Sequence, residues 1–182
     1  MITDRHAAGG VGKLLMLIGQ RMQEGVDYVQ IREKDMEAGE LFALVSAVRM
    51  FPNTAGTRII VNSRLDVALA ARANGVHLPA GSPSPAQLRP ICPPDFRIGV
   101  SCHTIDEVRE AHRNGADYCL FAPVFAPLSK TDSRPPHGLE GLRKAVKAAP
   151  IPVFSLGGIK PEHADACAKT GAAGIAGISL FL

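Results

Sequence analysis

The chain has 182 residues, 46% of them hydrophobic and 20% charged, with a formal net charge of +3. That length predicts one domain spanning residues 1–182 with a substantial apolar core, and no concentrated basic stripe marks a nucleic-acid binder. No apolar run approaches the ~18 residues of a membrane span, and MITDRHAAGG lacks the basic-then-apolar order of a signal peptide.

The 18 glycines and 14 prolines, without any low-complexity stretch, predict tight turns between short elements. Cys92, Cys102, Cys119 and Cys167 show no CxxC spacing and read as reduced thiols of a cytoplasmic protein.

In chain order, Met1-Ile2-Thr3 reads as a truncated first strand. Seven apolar runs follow: VDYVQI (26–31), RIIV (58–61), GVHL (75–78), RIGVSC (97–102), DYCLFAPVF (117–125), IPVFSLGG (151–158) and AGIAGISLFL (173–182). Runs of this length fit strands buried on both faces, as in parallel sheets. Helical patterns separate them. Thr104 and Glu107 make a capping box, with Val108 and Ala111 on the apolar stripe and Gly115 as the stop. Leu139, Leu142 and Val146 share a helix face, and Pro161 opens a helix running to Gly171. Helix, glycine and strand recur at Gly25-Val26, Gly75-Val76 and Gly115-Ala116.

Eight strands alternating with helices leave two α/β architectures. A doubly wound sheet carries a glycine-rich turn after its first strand. GGVGK (9–13) has neither the GxGxxG spacing nor the first glycine and the Ser/Thr of a phosphate-binding loop, since Ala7 and Leu14 stand there. The count therefore predicts a (β/α)8 TIM barrel. At 182 residues it is compact against the ~250-residue norm, lacking a full eighth helix after Ser179-Leu180-Phe181-Leu182.

Barrel sites sit at the carboxyl ends of the strands. Those ends carry Gln30-Arg32-Lys34, Asn62-Ser63-Arg64, His77, Ser101-His103, Ser129-Lys130, Gly157-Gly158 and Ser179. Cations beside residues that expose backbone N–H groups suit a phosphorylated ligand. Gln30 and Arg32 alternate with Ile31 and so share the barrel's interior face, where an Arg without a partner is costly and therefore reads as functional. Lys34 lies in a charged triplet with Glu33 and Asp35 that reads equally well as solvated. Gly157-Gly158 fits either phosphate approach or a tight turn. His103 reads as a hydrogen-bonded structural histidine, and His77 carries less signal still.

ITDRH (2–6), QIREKD (30–35), IVNSRLDVALA (60–70), GVHL (75–78), GVSCHT (99–104), GADYCLFAPVF (115–125), FSLGGI (154–159) and GIAGIS (174–179) stand in the order found in thiamine phosphate synthases and the related thiazole tautomerases, which the chain resembles throughout. The resemblance implies a cytoplasmic βα barrel, homodimeric, acting on small phosphorylated substrates. The synthase couples hydroxymethylpyrimidine diphosphate to thiazole phosphate and releases pyrophosphate. Carried over residue by residue, Gln30, Arg32, Lys34, Asn62 and Lys130 hold the pyrophosphate, with Ser129 in the same loop. Ser101 lies by the pyrimidine, and backbone groups at Gly158, Ile178 and Ser179 hold the thiazole phosphate.

The departures concern the metal. The family's two magnesium-ligand Asp positions fall at Ser63 and Ser82, and neutral serines are poor Mg²⁺ ligands. The resemblance then implies Mg²⁺ held weakly, mainly by substrate oxygens, or a degenerate thiamine-phosphate binder. Asp66 lies one helical turn beyond Ser63. Pro127 and Ser129 replace the family's two loop threonines. The tautomerase alternative lacks its histidine, because APVF (122–125) has Pro123 where the family has it. His137, further along the same loop, is then the substitute general base.

Overall fold

Strand and helix alternate through the residues described by the structure, a computed structural model covering 1–126 and 134–182. They pack as two units: Met1–His77 with Cys92–Arg97 and Phe181–Leu182, and Leu78–Ile91 with Ile98–Leu180.

The first unit begins with a short helix α1 (Arg5–Ala8), capped by the Asp4 carboxylate, which accepts from the N–H groups of His6 and Ala7. Gly9 (φ +84°) and Gly10 (φ +113°) then turn the chain into α2 (Val11–Gln23). GGVGK is thus a helix–helix turn. After α2 come β1 (Tyr28–Ile31), α3 (Ala38–Arg49), β2 (Arg58–Asn62), α4 (Leu65–Ala70) and β3 (Gly75–Leu78). All three strands run parallel and pair in chain order, Ile31 opposite Val61 and Val61 opposite Val76. The truncated first strand is a single parallel bridge between Ile2 and Gln30.

Leu14, Ile18 and Met22 of α2, at four-residue spacing, are buried, as are Leu41, Leu44, Val45 and Val48 of α3. Ile59, Ile60 and Val61 are buried on both faces of β2, which is why that run shows no polar alternation. Gly75 departs from the expected helix-stop role. It lies inside β3, where an added Cβ would stand 2.2 Å from the Arg97 carbonyl oxygen. The left-handed residue that leaves α4 is Arg72 (φ 52°).

The second unit holds α5 (Pro85–Leu88), β4 (Arg97–Cys102, from Ile98), α6 (Ile105–Arg113), β5 (Tyr118–Phe121), α7 (Gly138–Ala148), β6 (Val153–Ser155), α8 (Ala164–Ala168) and β7 (Gly174–Ile175). Its strands are also parallel and consecutive: Ser101 opposes Leu120, Phe121 opposes Ser155 and Ser155 opposes Ile175. The Thr104/Glu107 capping box forms as the sequence predicts. The helix expected from Pro161 opens as a 3₁₀ turn, becomes α-helical at Ala164 and ends before Gly171 (φ +88°). Cys102, Val108, Cys119, Phe121, Leu142 and Cys167 are fully buried between strands and helices. No helix follows β7 among the described residues.

Candidate phosphate-binding site

In the first unit, Arg32 follows Ile31 at the carboxyl end of β1, and Asn62 closes β2, opposite His77 of β3. Gln30 is 5% exposed and, among the described residues, its amide makes no side-chain hydrogen bond. Arg32 is half-buried and Lys34 exposed. Among the described residues neither makes an ion pair.

The nearby acids are neutralised elsewhere. Arg5 bonds Asp35 with both terminal nitrogens at 2.5 and 2.8 Å, and its Nη1 reaches Glu33 Oε2 at 3.3 Å. His6 Nε2 lies 3.0 Å from Asp35 Oδ2. Hydrogen bonds from Arg5 and then His6 hold the Asp35 carboxyl well below the usual range. The triplet that reads as solvated is therefore half anchored. Glu33 is buried, its carboxylate accepting from the Thr3 hydroxyl at 2.5 Å and from the Arg5 N–H at 3.0 Å. Sequence reasoning missed Thr3, Arg5, Glu33 and Asp35. The available signal was that Glu33 stands two residues past fully buried Ile31, on the same side of an extended segment.

Asn62 Nδ2 donates to Ser63 Oγ at 2.8 Å, and Ser63 adopts φ 63° with its N–H bonded to the His77 carbonyl. A left-handed non-glycine residue is an observed strain of the sort that collects at functional sites. Asp66 does not substitute for a missing carboxylate at Ser63. Arg64 grips both its oxygens, at 2.9 and 2.5 Å, and lowers its pKa to about 2. His77 is fully buried, and that burial, followed by the Arg32 charge, lowers its pKa to about 3. A neutral His77 leaves the local positive charge to Arg32.

In the second unit, Ser101, next to last in β4, lines a cavity of about 240 Å³ together with Pro79, Ser82, Glu107 and Asn114. Gly157 (φ +93°) and Gly158 (φ +61°) turn the chain out of β6. A Cβ on Gly157 would stand 2.8 Å from Pro123, and one on Gly158 2.3 Å from the Ala126 carbonyl oxygen. The chain's own backbone thus demands both glycines on that side. Among the described residues the N–H groups of Gly157, Gly158 and Ile159 donate to no main-chain carbonyl. Ile178 is half-buried and Ser179 exposed in the turn after β7. Ser129 and Lys130 lie outside the described residues.

His103 is structural, its Nδ1 2.8 Å from the Ala122 carbonyl oxygen. His137 begins α7 with its ring 4.6 Å from that of Phe121. All four cysteines are free, and the hydrogen bond to Cys119 together with burial pushes the Cys102 thiol up. Among the described residues no three His, Cys, Asp or Glu side chains converge on a metal position. With Ser63 and Ser82 neutral and Asp66 engaged, these residues do not make a protein-held Mg²⁺ site. No described helix is long and apolar enough to cross a membrane.

The family model described as thiamine monophosphate synthase matches residues 1–181. The thiamine-phosphate synthase of Moorella thermoacetica is 40% identical over 174 residues, covering 96% of this chain and 83% of that protein. That of Albidiferax ferrireducens is 36% identical over 179 residues, covering 98% and 81%. Among solved structures, the thiamine phosphate pyrophosphorylase of Pyrococcus furiosus matches with a TM-score of 0.85 and 34% identity, covering 98% of this chain and 83% of that one. The parallel strands and the likeness together give the TIM-barrel-like α/β class expected from the sequence.

Proposed function

The chain belongs to the thiamine monophosphate synthase family, and on that premise we propose that it couples hydroxymethylpyrimidine diphosphate to thiazole phosphate, giving thiamine phosphate and pyrophosphate. One observation carries the reading: Arg32 and Lys34 stand without ion-pair partners among the described residues, beside the buried Gln30 amide, while Arg5 occupies the neighbouring acids.

In this reading Arg32 and Lys34, with Lys130, neutralise the departing pyrophosphate as the pyrimidine methylene gains positive charge. Fixed cations at the leaving group lower the barrier electrostatically and need no reorganisation during the reaction. Gln30 and Asn62 orient the diphosphate oxygens, with Ser129 beside Lys130. Ser101 flanks the pyrimidine. The N–H groups around Gly158, with Ile178 and Ser179, receive the thiazole phosphate and fix the angle of attack. No step is assigned to a metal, because neutral serines, Ser63 and Ser82, stand at the positions where the family's carboxylate ligands fall.

Residues 1–182 act in this reading as one catalytic domain in the cytoplasm. The homodimer is part of this reading, as the family resemblance implies it.

Purified protein with both substrates and Mg²⁺ in the buffer is expected to form thiamine phosphate, followed by chromatography. Binding of thiamine phosphate without its formation would instead identify a degenerate binder. Thiazole isomer conversion that His137→Ala abolishes would identify a tautomerase.

A further inference from the structure

We propose that Glu33, held between Thr3 and Arg5, is the positioning residue of the Gln30–Lys34 segment, setting the backbone from which Arg32 and Lys34 meet a diphosphate. This rests on reading that segment as the diphosphate cradle.

The Thr3 hydroxyl sits at the centre. It accepts from the Arg32 N–H at 2.9 Å and donates to Glu33 Oε1 at 2.5 Å. Thr3 is itself fastened to the sheet, its own N–H donating to the Gln30 carbonyl at 2.9 Å. The other carboxylate oxygen, Oε2, accepts from the Arg5 N–H and guanidinium. Arg5 then continues to Asp35, so both residues flanking Lys34 are tied down. Among the described residues, the side chains left untied alternate with the anchored ones: Gln30, Arg32 and Lys34.

The anchor is strong because it is dry. The Glu33 side chain is 2% exposed, and charge-assisted hydrogen bonds without competing water are short and stiff. It is also charge-compensated. Without Arg5, two carboxylates would stand beside the cations and cancel the field they offer an anion. Fixing a binding group in its working geometry lowers the ordering cost of each encounter.

The test measures inorganic pyrophosphate binding to the full chain by calorimetry, with thiazole phosphate binding and the thermal midpoint alongside. Glu33→Gln and Thr3→Val are expected to weaken pyrophosphate at least tenfold, leave thiazole phosphate within about twofold, and leave Thr3→Ser close to the parent. Should Glu33→Gln fail to fold, the contrast between Thr3→Val and Thr3→Ser decides alone. Equal pyrophosphate affinity in the parent and Thr3→Val overturns the proposal, as does a parallel loss of both ligands or a parent that does not bind pyrophosphate. Glu33-dependent pyrophosphate binding with no thiamine phosphate formed would sustain this inference and sink the synthase reading. Thiamine phosphate formation indifferent to Glu33 and Thr3 would do the reverse.

Discussion

Replacing Gly158 by Ala separates two reasons for a glycine at that turn. The residue sits at φ +61°, where an L side chain costs about 1–2 kcal/mol. Its new Cβ would also stand 2.3 Å from the Ala126 carbonyl oxygen and 2.8 Å from the Phe125 carbonyl carbon. Those neighbours are main chain and cannot swing aside, so the overpacking adds about 1–3 kcal/mol. The total, about 2–5 kcal/mol, lowers the melting temperature by roughly 5–20 °C in a chain of this size. Gly56→Ala is the control, because Gly56 has φ +75° and open space where the Cβ would go. It bears the conformational cost alone. Thermal melts of both variants against the parent, followed by circular dichroism, give the difference. If Gly158→Ala costs no more than Gly56→Ala, the backbone does not require that glycine, and ligand approach is left as its reason.

Three further outcomes are expected. His77 binds its proton only near pH 3 when folded, against 6.5 in the unfolded chain, so the unfolded state holds more protons between those values and stability falls as pH drops through that window. Urea unfolding should show a loss of up to about 1.4 kcal/mol per pH unit below 6.5, and His77→Gln should remove one proton's worth of that slope. An unchanged slope would count against a buried neutral His77. Arg32→Met should weaken pyrophosphate by about 10–100-fold at low salt and flatten the salt dependence of binding measured by calorimetry. Gly99→Ala would put a Cβ 2.0 Å from the ring of Tyr118, which is itself wedged edge-on against Phe154. A loss of at least about 3 kcal/mol is expected by chemical denaturation.

Much of the fold is legible in the sequence because apolar runs and helix stops are local signals. All seven runs contain a parallel strand, and Thr104, Glu107 and Gly115 cap and end α6 as read. The candidate site is legible as a pattern where its residues alternate through and just past a strand, as at Gln30 and Arg32. It was illegible where it depends on distance along the chain. Glu33 reads as one charge in a solvated triplet until Thr3, 30 residues earlier, closes over it. Gly75 reads as a helix stop because local patterning cannot reveal that the Arg97 carbonyl oxygen occupies its side-chain space. Ser63 carries no sign of its left-handed backbone, since that conformation is fixed by its bonds to Asn62 and His77.

The consecutive pairing of strands bears on how such a chain can change. Within each unit every strand meets the next one along the chain, so each pairing closes one loop of modest length. Closure entropy grows only logarithmically, and doubling such a loop costs about 0.6 kcal/mol. The connection from β5 to β6, where Ser129 and Lys130 lie, can therefore lengthen for less than the loss of one buried methylene group. The strand register can stay put while that connection changes length.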